Sequence, residues 1–260
     1  MTAIIGKAPQ RWSVTGGAVT TFTRNGVSWQ ANKFTASGNL VIAGPKGIVT
    51  PDDPEWWLFA EYLLAAGGGG AGAGTGGYYG GSGGGGGIRH GFGRFAPKIY
   101  PIIIGAGGAA HTVGNASTGL GLTADGGGRG GDAGPSGEAG GAGGSGGGGG
   151  AGSSSIGGPG GAVSTPTTPA QGQPGGVGQT TAASPGLGGG IKAPGRSATT
   201  NAPGNGLLSA ITGTNTSYAD GAGADNAAGG ANTANGGGSN NTGAGQAGGS
   251  SVFIFAFPTG

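Results

Sequence analysis

The sequence contains no cysteine and very little charge. None of its 260 residues is cysteine, and only 11 are Lys or Arg and nine are Asp or Glu. Without cysteine the chain has neither a disulfide framework nor thiolate metal ligands, which excludes a cross-linked secreted scaffold. The formal net charge is +2 and the scattered basic residues form no continuous stripe for a phosphate backbone, so we expect no nucleic-acid partner.

Long apolar runs are also missing. Residues 1–7 show no charged region followed by an apolar stretch of signal-peptide length, and the longest apolar runs fall well short of a membrane span. We therefore expect no membrane insertion. We also expect synthesis in a cytoplasm, with any exit to the outside by assembly or lysis.

Glycine is the residue that the chain has in excess, at 75 positions. Ordering its backbone costs about 1–2 kcal/mol per residue, and glycine buries no apolar side chain in return. Two outcomes remain for such a chain: disorder, or a fold held together by backbone hydrogen bonds. Apolar islands at 99–104 and 252–257, together with the low net charge, favour the ordered outcome.

Residues 1–66 are predicted to form a small N-terminal unit that begins with β-hairpins. Apolar and polar residues alternate at 20–23, and Asn25-Gly26 is a strong signal for a two-residue hairpin turn. The apolar residues 40–42 indicate a further strand.

The same unit is predicted to end in one helix. Asp53 is its N-cap, Pro54 takes the first helical position, and Gly67 stops it. This helix is apolar nearly all round, so it needs partners on more than one side. Its aromatic residues either make a small core with the hairpins, or form a docking face with Trp12 and Trp29.

Oligoglycine tracts alternate with other segments over residues 67–250, without the strict period of collagen. Extended tracts with three residues per turn can hydrogen-bond to neighbours on every side, and only glycine lets their axes approach closely enough. We therefore predict a polyglycine-II helix sandwich with loops, followed by a C-terminal strand over 251–260 that packs back on it. The predicted fold class is mostly irregular: hairpins and one helix, then the sandwich.

Motifs for catalysis and for cofactor binding are weak. The G-x-G-x-x-G match at 72–77 is expected by chance in so glycine-rich a segment, and 127–132 resembles a single calcium-binding repeat without tandem copies. The only histidines, His90 and His111, have no acidic cluster or cysteine beside them to complete a zinc site. No G-x-S-x-G elbow occurs and the carboxylates are scattered, so we expect no enzyme, no cofactor and no metal.

The chain resembles the receptor-binding adhesins at the tips of the long tail fibres of T-even-type bacteriophages. The resemblance rests on the Pro9-Gln-Arg-Trp12 start, the Trp56-Trp57 pair, the oligoglycine tracts with irregular inserts, and the apolar ending at 252–257. It implies one adhesin on the trimeric distal fibre protein at each fibre tip of the virion. It also implies variable loops that bind a bacterial outer-membrane protein and so determine host range.

Carried onto this sequence, the resemblance gives two sets of candidate residues. The fibre-attachment candidates are Trp12, Trp29, Trp56, Trp57 and Phe59. The receptor-loop candidates are His111, Asn115, Leu120, Leu122, Ser154, Ile156, Val163, Thr165, Thr167, Lys192, Arg196, Leu207, Leu208, Ile211 and Tyr218.

Two other classes of protein share this composition. An ice-binding protein presents a flat, regular face built from uniform repeats, and the irregular insert at 191–218 argues against that interpretation. A silk-like or matrix structural protein is the second alternative.

Overall fold

A computed structural model describes most of the chain. The described residues are 12–44, 57–154, 156–164, 169–181, 184–197 and 202–259. The candidates Trp56, Thr165 and Thr167 and the start of the predicted helix lie outside these ranges. Among the described residues no helix is long and apolar enough to cross a membrane.

The described residues contain twelve strands. In chain order they are β1 (Ser13–Thr15), β2 (Ala18–Arg24), β3 (Val27–Phe34), β4 (Gly38–Ala43), β5 (Leu58–Ala65), β6 (Ile88–Phe95), β7 (Ile99–Ile102), β8 (Ser117–Gly119), β9 (Leu122–Ala124), β10 (Leu207–Ser209), β11 (Thr216–Tyr218) and β12 (Phe253–Pro258). All pairings between these strands are antiparallel.

The central sheet has five strands in the order β2-β3-β12-β5-β6. Its middle strand, β12, pairs with β3 on one side and with β5 on the other. Phe253, Phe255 and Phe257 join one apolar cluster, while Ile254 and Ala256 join a second cluster on the opposite face. Because both faces are covered, the strand is a continuous apolar run rather than an alternating one.

The predicted helix is wrong over the part that the structure describes, because Leu58–Ala65 is strand β5. This strand pairs along its length with β6 and also pairs with β12. Leu64 is buried on one face of the sheet and Leu63 on the other. A short segment that is apolar all round suits a strand buried on both faces as well as a helix, and periodicity does not separate the two.

The predicted fold class is therefore corrected. The described residues contain no helix, and their strands form several antiparallel sheets.

Two apolar clusters cover the two faces of the central sheet. On one face packs a three-stranded sheet of order β1-β4-β7, whose Leu40 and Ile42 are buried against Phe253 and Phe255. On the other face packs the β10–β11 hairpin, which contributes Leu207, Ile211 and Tyr218. The N-terminal strands and the last strand therefore belong to one core.

The glycine tracts hydrogen-bond to several neighbouring tracts in rotation. Along residues 80–87, the N–H groups of residues 81, 84 and 87 donate to the carbonyls of residues 131, 128 and 125 of one tract. The N–H groups of residues 80, 83 and 86 donate to the carbonyls of residues 240, 237 and 234 of a second tract. The N–H groups of residues 82 and 85 donate to the carbonyls of residues 186 and 189 of a third tract. The partner tract thus repeats every third residue. We call these mutually bonded tracts the glycine lattice: residues 67–74, 80–87, 125–131, 144–150, 186–190, 234–240 and 244–250.

Close approach of backbones makes glycine necessary within the lattice. A Cβ atom built on Gly147 would overlap the carbonyl group of Arg129, and one built on Gly81 would overlap the carbonyl group of Gly148. Backbone N–H and C=O groups that are buried this way are satisfied by one another rather than by water. Hydrogen bonds between tracts therefore hold the lattice together in place of side-chain packing.

The lattice has two ends. Residues 67–74 lead away from β5, turn at 75–78 and return as 80–87 into β6, so the turn at 75–78 lies at the end away from the central sheet. The connection at 240–243 lies at the same end, because Gly74 pairs with Gly243. We call this the far end, and the end that joins the central sheet the sheet end.

Candidate binding surfaces

An exposed pair of phenylalanine rings lies on the central sheet. The side chains of Phe59 on β5 and Phe92 on β6 are 49% and 58% exposed, and their rings are stacked with centroids 5.8 Å apart and planes at 8°. The register places both on one face, because Glu61 pairs with Phe92 and Phe59 pairs with Arg94. These rings are stacked on each other but are open to solvent.

A second aromatic pair lies on the same face, on the other side of β12. Phe22 on β2 and Trp29 on β3 are cross-strand partners whose ring centroids are 6.4 Å apart. The guanidinium of Arg24 lies 3.9 Å from the centroid of the Trp29 ring and forms a 2.8 Å ion pair with Glu61 on β5. Arg24 therefore spans from the β2–β3 edge to β5.

We call this surface the aromatic face and define it by Phe22, Arg24, Trp29, Phe59, Glu61 and Phe92. It occupies the part of the sheet surface next to the area covered by the β10–β11 hairpin, whose Gly213 lies against Phe22. The ion pair between the partly buried side chains of Arg24 and Glu61 links its two aromatic pairs.

The predicted attachment residues divide between two faces of the sheet. Trp29 and Phe59 both lie on the aromatic face. Trp12 packs against the opposite core, and Trp57 is half-buried immediately before β5. Sequence reasoning missed Phe22, Arg24 and Phe92, although alternation in β2 and the Gly-Phe-Gly pattern in β6 place an outward aromatic on each strand.

Two of the predicted receptor-loop residues that are described, Ser154 and Ile156, lie at the far end. Ile156 is 74% exposed, and the backbone N–H of Ser154 donates to the carbonyl of Pro135 at 3.1 Å. The segment with Pro135 belongs to the far end because Ala133 N–H bonds to the Ala73 carbonyl.

Four predicted loop residues lie in the β10–β11 hairpin at the sheet end. Leu207, Ile211 and Tyr218 are buried against the central sheet, whereas Leu208 is 65% exposed. Burial raises the pKa of the Tyr218 hydroxyl, since its ionised form is poorly solvated there. The apolar residues of this insert therefore complete a core, and only Leu208 remains available to a partner.

Three further candidates pair with glycine-rich segments through their backbones. His111 has a positive φ of 63°, donates its backbone N–H to Ala71, and its Nδ1 lies 2.8 Å from Asp132 Oδ1. The carbonyl of Asn115 accepts from Gly67, and Val163 pairs with Gly143.

Leu120, Leu122 and Lys192 lie at or near the sheet end, whereas Arg196 lies beside the 186–190 tract. Leu120 and Leu122 line a cleft beside β7. Lys192 is close enough to His90 for its charge to lower the pKa of that imidazole. Arg196 has an exposed side chain, while its carbonyl accepts from the N–H of Leu187.

The far end also presents residues that sequence reasoning missed. Thr75 and Tyr78 bond to each other across the Gly76-Gly77 turn at 3.0 and 2.9 Å, and Pro135 turns the chain nearby. A Gly-Gly pair at positive φ is a hairpin-turn signal, but nothing in the sequence shows which glycine turns share one end.

Among the described residues no cluster of three or more His, Asp or Glu side chains is placed to hold a metal ion. The three ion pairs within the same ranges, one of them formed by His111, link separate tracts or strands to one another.

A family model described as a glycine-rich domain matches residues 43–258. The chain belongs to this glycine-rich domain family. The match begins at the end of β4 and runs through β12, so the lattice and the strands β5, β6 and β12 lie within the glycine-rich domain. Strands β2 and β3 precede it and supply Phe22, Arg24 and Trp29 to the aromatic face. A comparison with curated proteins finds no match.

Proposed function

We propose that this glycine-rich domain protein is a tail-fibre adhesin of the T-even phage type. It caps the trimeric distal protein of the long tail fibre, one copy at each fibre tip of the virion. Its loops bind a host outer-membrane protein and so determine host range. The observation that carries this proposal is the aromatic face at one end of a stiff lattice whose turns are presented at the other end.

The aromatic face supports the attachment half of the proposal. Large exposed rings are uncommon on a surface without a partner, and aromatic residues with arginine are enriched among interface residues that carry binding energy. The Phe59–Phe92 stack is already ordered, so docking costs little side-chain conformational entropy at these two residues. Arg24, held by Glu61 and Trp29, is likewise fixed before a partner arrives.

The lattice supports the display half of the proposal. Each tract is bonded to neighbours along its length, so the turns that join tracts at the far end are held at both ends. A loop fixed in this way loses little conformational entropy when it binds. The exposed Ile156 beside the Pro135 segment is the clearest apolar anchor that a receptor loop there would offer. That the receptor is an outer-membrane protein follows from the resemblance to the adhesin family.

Attachment is tested with a Phe59→Ser/Phe92→Ser double variant. We expect its affinity for the trimeric distal fibre protein of a T-even-type phage to fall at least about tenfold, because both exposed rings are removed. The matched control is Val177→Ser, which removes an apolar side chain that is 55% exposed and lies outside the aromatic face. Equal binding by the double variant and the control would reject the aromatic face as the attachment surface.

Receptor binding is tested on intact Gram-negative cells with Ile156→Asp at the far end and Leu208→Asp at the sheet end. Both positions are exposed, so both variants are expected to fold. We expect Ile156→Asp to lose cell binding and Leu208→Asp to keep it. The reverse result would place the receptor site at the sheet end, and no binding of the wild-type chain to any strain would favour an ice-binding or structural protein.

A further inference from the structure

The β8–β9 hairpin divides a groove into two clefts at the side of the protein. The first cleft, of about 440 Å³, lies between the hairpin and β7. The second, of about 350 Å³, lies between the hairpin and β5 and β6. Residues 121–123 line both clefts, so the two lie on either side of the same hairpin. We call them together the hairpin groove; each has the size of a small-molecule site.

The charged groups that line the hairpin groove are basic. Lys98 lines the first cleft, with its Nζ 4.8 Å from the centre of the Tyr100 ring. Arg89 lines the second. Among the described residues that line the two clefts there is no carboxylate to neutralise them. The groove therefore favours an anion.

The guanidinium of Arg89 is held in a fixed position. Its Nε donates to the carbonyl of Thr123 at 3.1 Å and its Nη1 donates to the carbonyl of Pro169 at 2.9 Å. Both acceptors are neutral, so the bonds orient the positive charge without cancelling it. A cation fixed before a ligand arrives recognises an anion at a lower entropic cost than a mobile one.

The tip of the β8–β9 hairpin carries a leucine at a turn position that disfavours bulky side chains. Leu120 has a φ of 57°, in the left-handed region that disfavours bulky side chains. The corresponding first turn positions elsewhere are Asn25 and Gly76, the residue types that this conformation prefers. Leu120 packs in part against the core cluster that contains Leu64 and Phe253, and it also provides an apolar wall to the first cleft.

We propose that the hairpin groove binds an anionic saccharide, a sugar chain that carries carboxylate or phosphate groups. Arg89 and Lys98 would bind the acidic groups, while Leu120, Leu122 and Thr123 offer apolar and hydroxyl contacts to the rings. This site is independent of the aromatic face and of the far end.

Backbone pairing argues against an acidic peptide as the ligand. A peptide that adds a strand needs free N–H and C=O groups along an edge. Here both backbone groups of Thr118 are bonded to Ile103, and the carbonyl of Thr123 is taken by Arg89. Recognition in the groove is therefore left to side chains and charge.

The test uses the full-length chain and three probes: trigalacturonic acid, maltotriose as the neutral saccharide, and a capped triglutamate peptide. Amide chemical shifts of Gly119, Gly121 and Arg89 report on the groove. We expect trigalacturonic acid to bind there with a Kd on the order of 1 mM at low salt, weakening as salt is added. Equal binding of maltotriose, tighter binding of triglutamate, or no response to trigalacturonic acid would each overturn the proposal.

Two charge-removing variants test whether the saccharide binds in the hairpin groove. Lys98→Gln removes an exposed groove cation that makes no ion pair among the described residues, and we expect it to weaken trigalacturonic acid binding about fivefold to tenfold. Arg196→Gln makes the same charge change at an exposed position outside the groove and should leave binding unchanged. An equal loss in both variants would show that net charge, and not the groove, attracts the saccharide. This outcome leaves the adhesin proposal untouched, because cell binding is measured with the Ile156 and Leu208 variants.

Discussion

His90 shows how a single residue can make the stability of this protein depend on pH. Partial burial of its imidazole, and next the charge of Lys192, lower its pKa below the ordinary value of 6.5, while Glu61 opposes this shift. The folded protein therefore binds this proton less readily than the unfolded chain does. The stabilising difference is fully present above pH 6.5 and is lost as the pH falls through 6.5 towards the folded pKa.

We expect a His90→Asn variant to lose less stability on acidification than the wild type. Urea unfolding of both proteins at about pH 7.5 and about pH 5.5 isolates the contribution of His90, because all carboxylates are common to the two. An identical pH-dependent drop in both proteins would show that His90 titrates alike in the folded and unfolded states.

Leu120 is a second residue whose contribution to stability can be measured separately from its contribution to the hairpin groove. In Leu120→Asn, relief of the left-handed strain should offset the lost apolar contact, so we expect the free energy of unfolding to change by less than about 0.5 kcal/mol. Thermal unfolding checks this, with Leu40→Ala as the control for a fully buried leucine. A loss as large as that of the control would make Leu120 a core residue and not a wall of the hairpin groove.

At the level of elements, the sequence predicts turns better than it predicts the segments between them. The Asn25-Gly26 signal is local, and both residues have positive φ at the turn between β2 and β3. The state of 58–65 depends instead on its neighbours β6 and β12, one of which lies at the other end of the chain. Capping residues before Trp57 indicated a helix, and pairing on both sides overrode that preference.

The buried side chains of β12 should contribute more to stability than the exposed side chains of the other strands. Phe255 is fully buried, with its ring centroid 5.2 Å from that of Phe95. We expect Phe255→Ala to cost about 3–5 kcal/mol, the usual range for a buried phenylalanine. Chemical denaturation should show a change within about 0.5 kcal/mol for Phe92→Ala, which removes a mostly exposed ring. Similar costs for the two variants would mean that Phe92 is covered in the folded protein.

At the level of the whole molecule, the pattern of contacts between tracts leaves no trace in the sequence. Gly84 bonds to Gly128 and Gly85 to Gly189, yet one glycine of a tract carries no side chain to distinguish it from the next. Side-chain patterns of the kind that set register in a sheet are therefore missing here. For this reason the predicted loops could not be assigned to an end, and Leu207, Ile211 and Tyr218 could not be recognised as core residues.

The glycines of the chain differ in how much space surrounds a Cβ atom built on them, and this difference can be tested. A Cβ on Gly147 would overlap the Arg129 carbonyl, whereas a Cβ on Gly134 would meet only the Ser136 carbonyl oxygen, at 3.4 Å. We expect Gly147→Ala to destabilise the protein by at least about 2 kcal/mol or to prevent folding, and Gly134→Ala to change stability by less than about 0.5 kcal/mol. Equal melting temperatures for the two variants would contradict the close packing at residue 147.

The position of β12 also has a consequence for synthesis of the protein. The pairing of Phe253 with Phe34 joins segments that leave the ribosome far apart in time. The hairpin β2–β3 must wait, with one edge unpaired, until β12 has emerged, and contacts this distant in sequence form slowly. During that interval the open edges are vulnerable to pairing with other nascent chains. Yield in a cell should therefore depend on whether a chaperone shields these strands until the last one arrives.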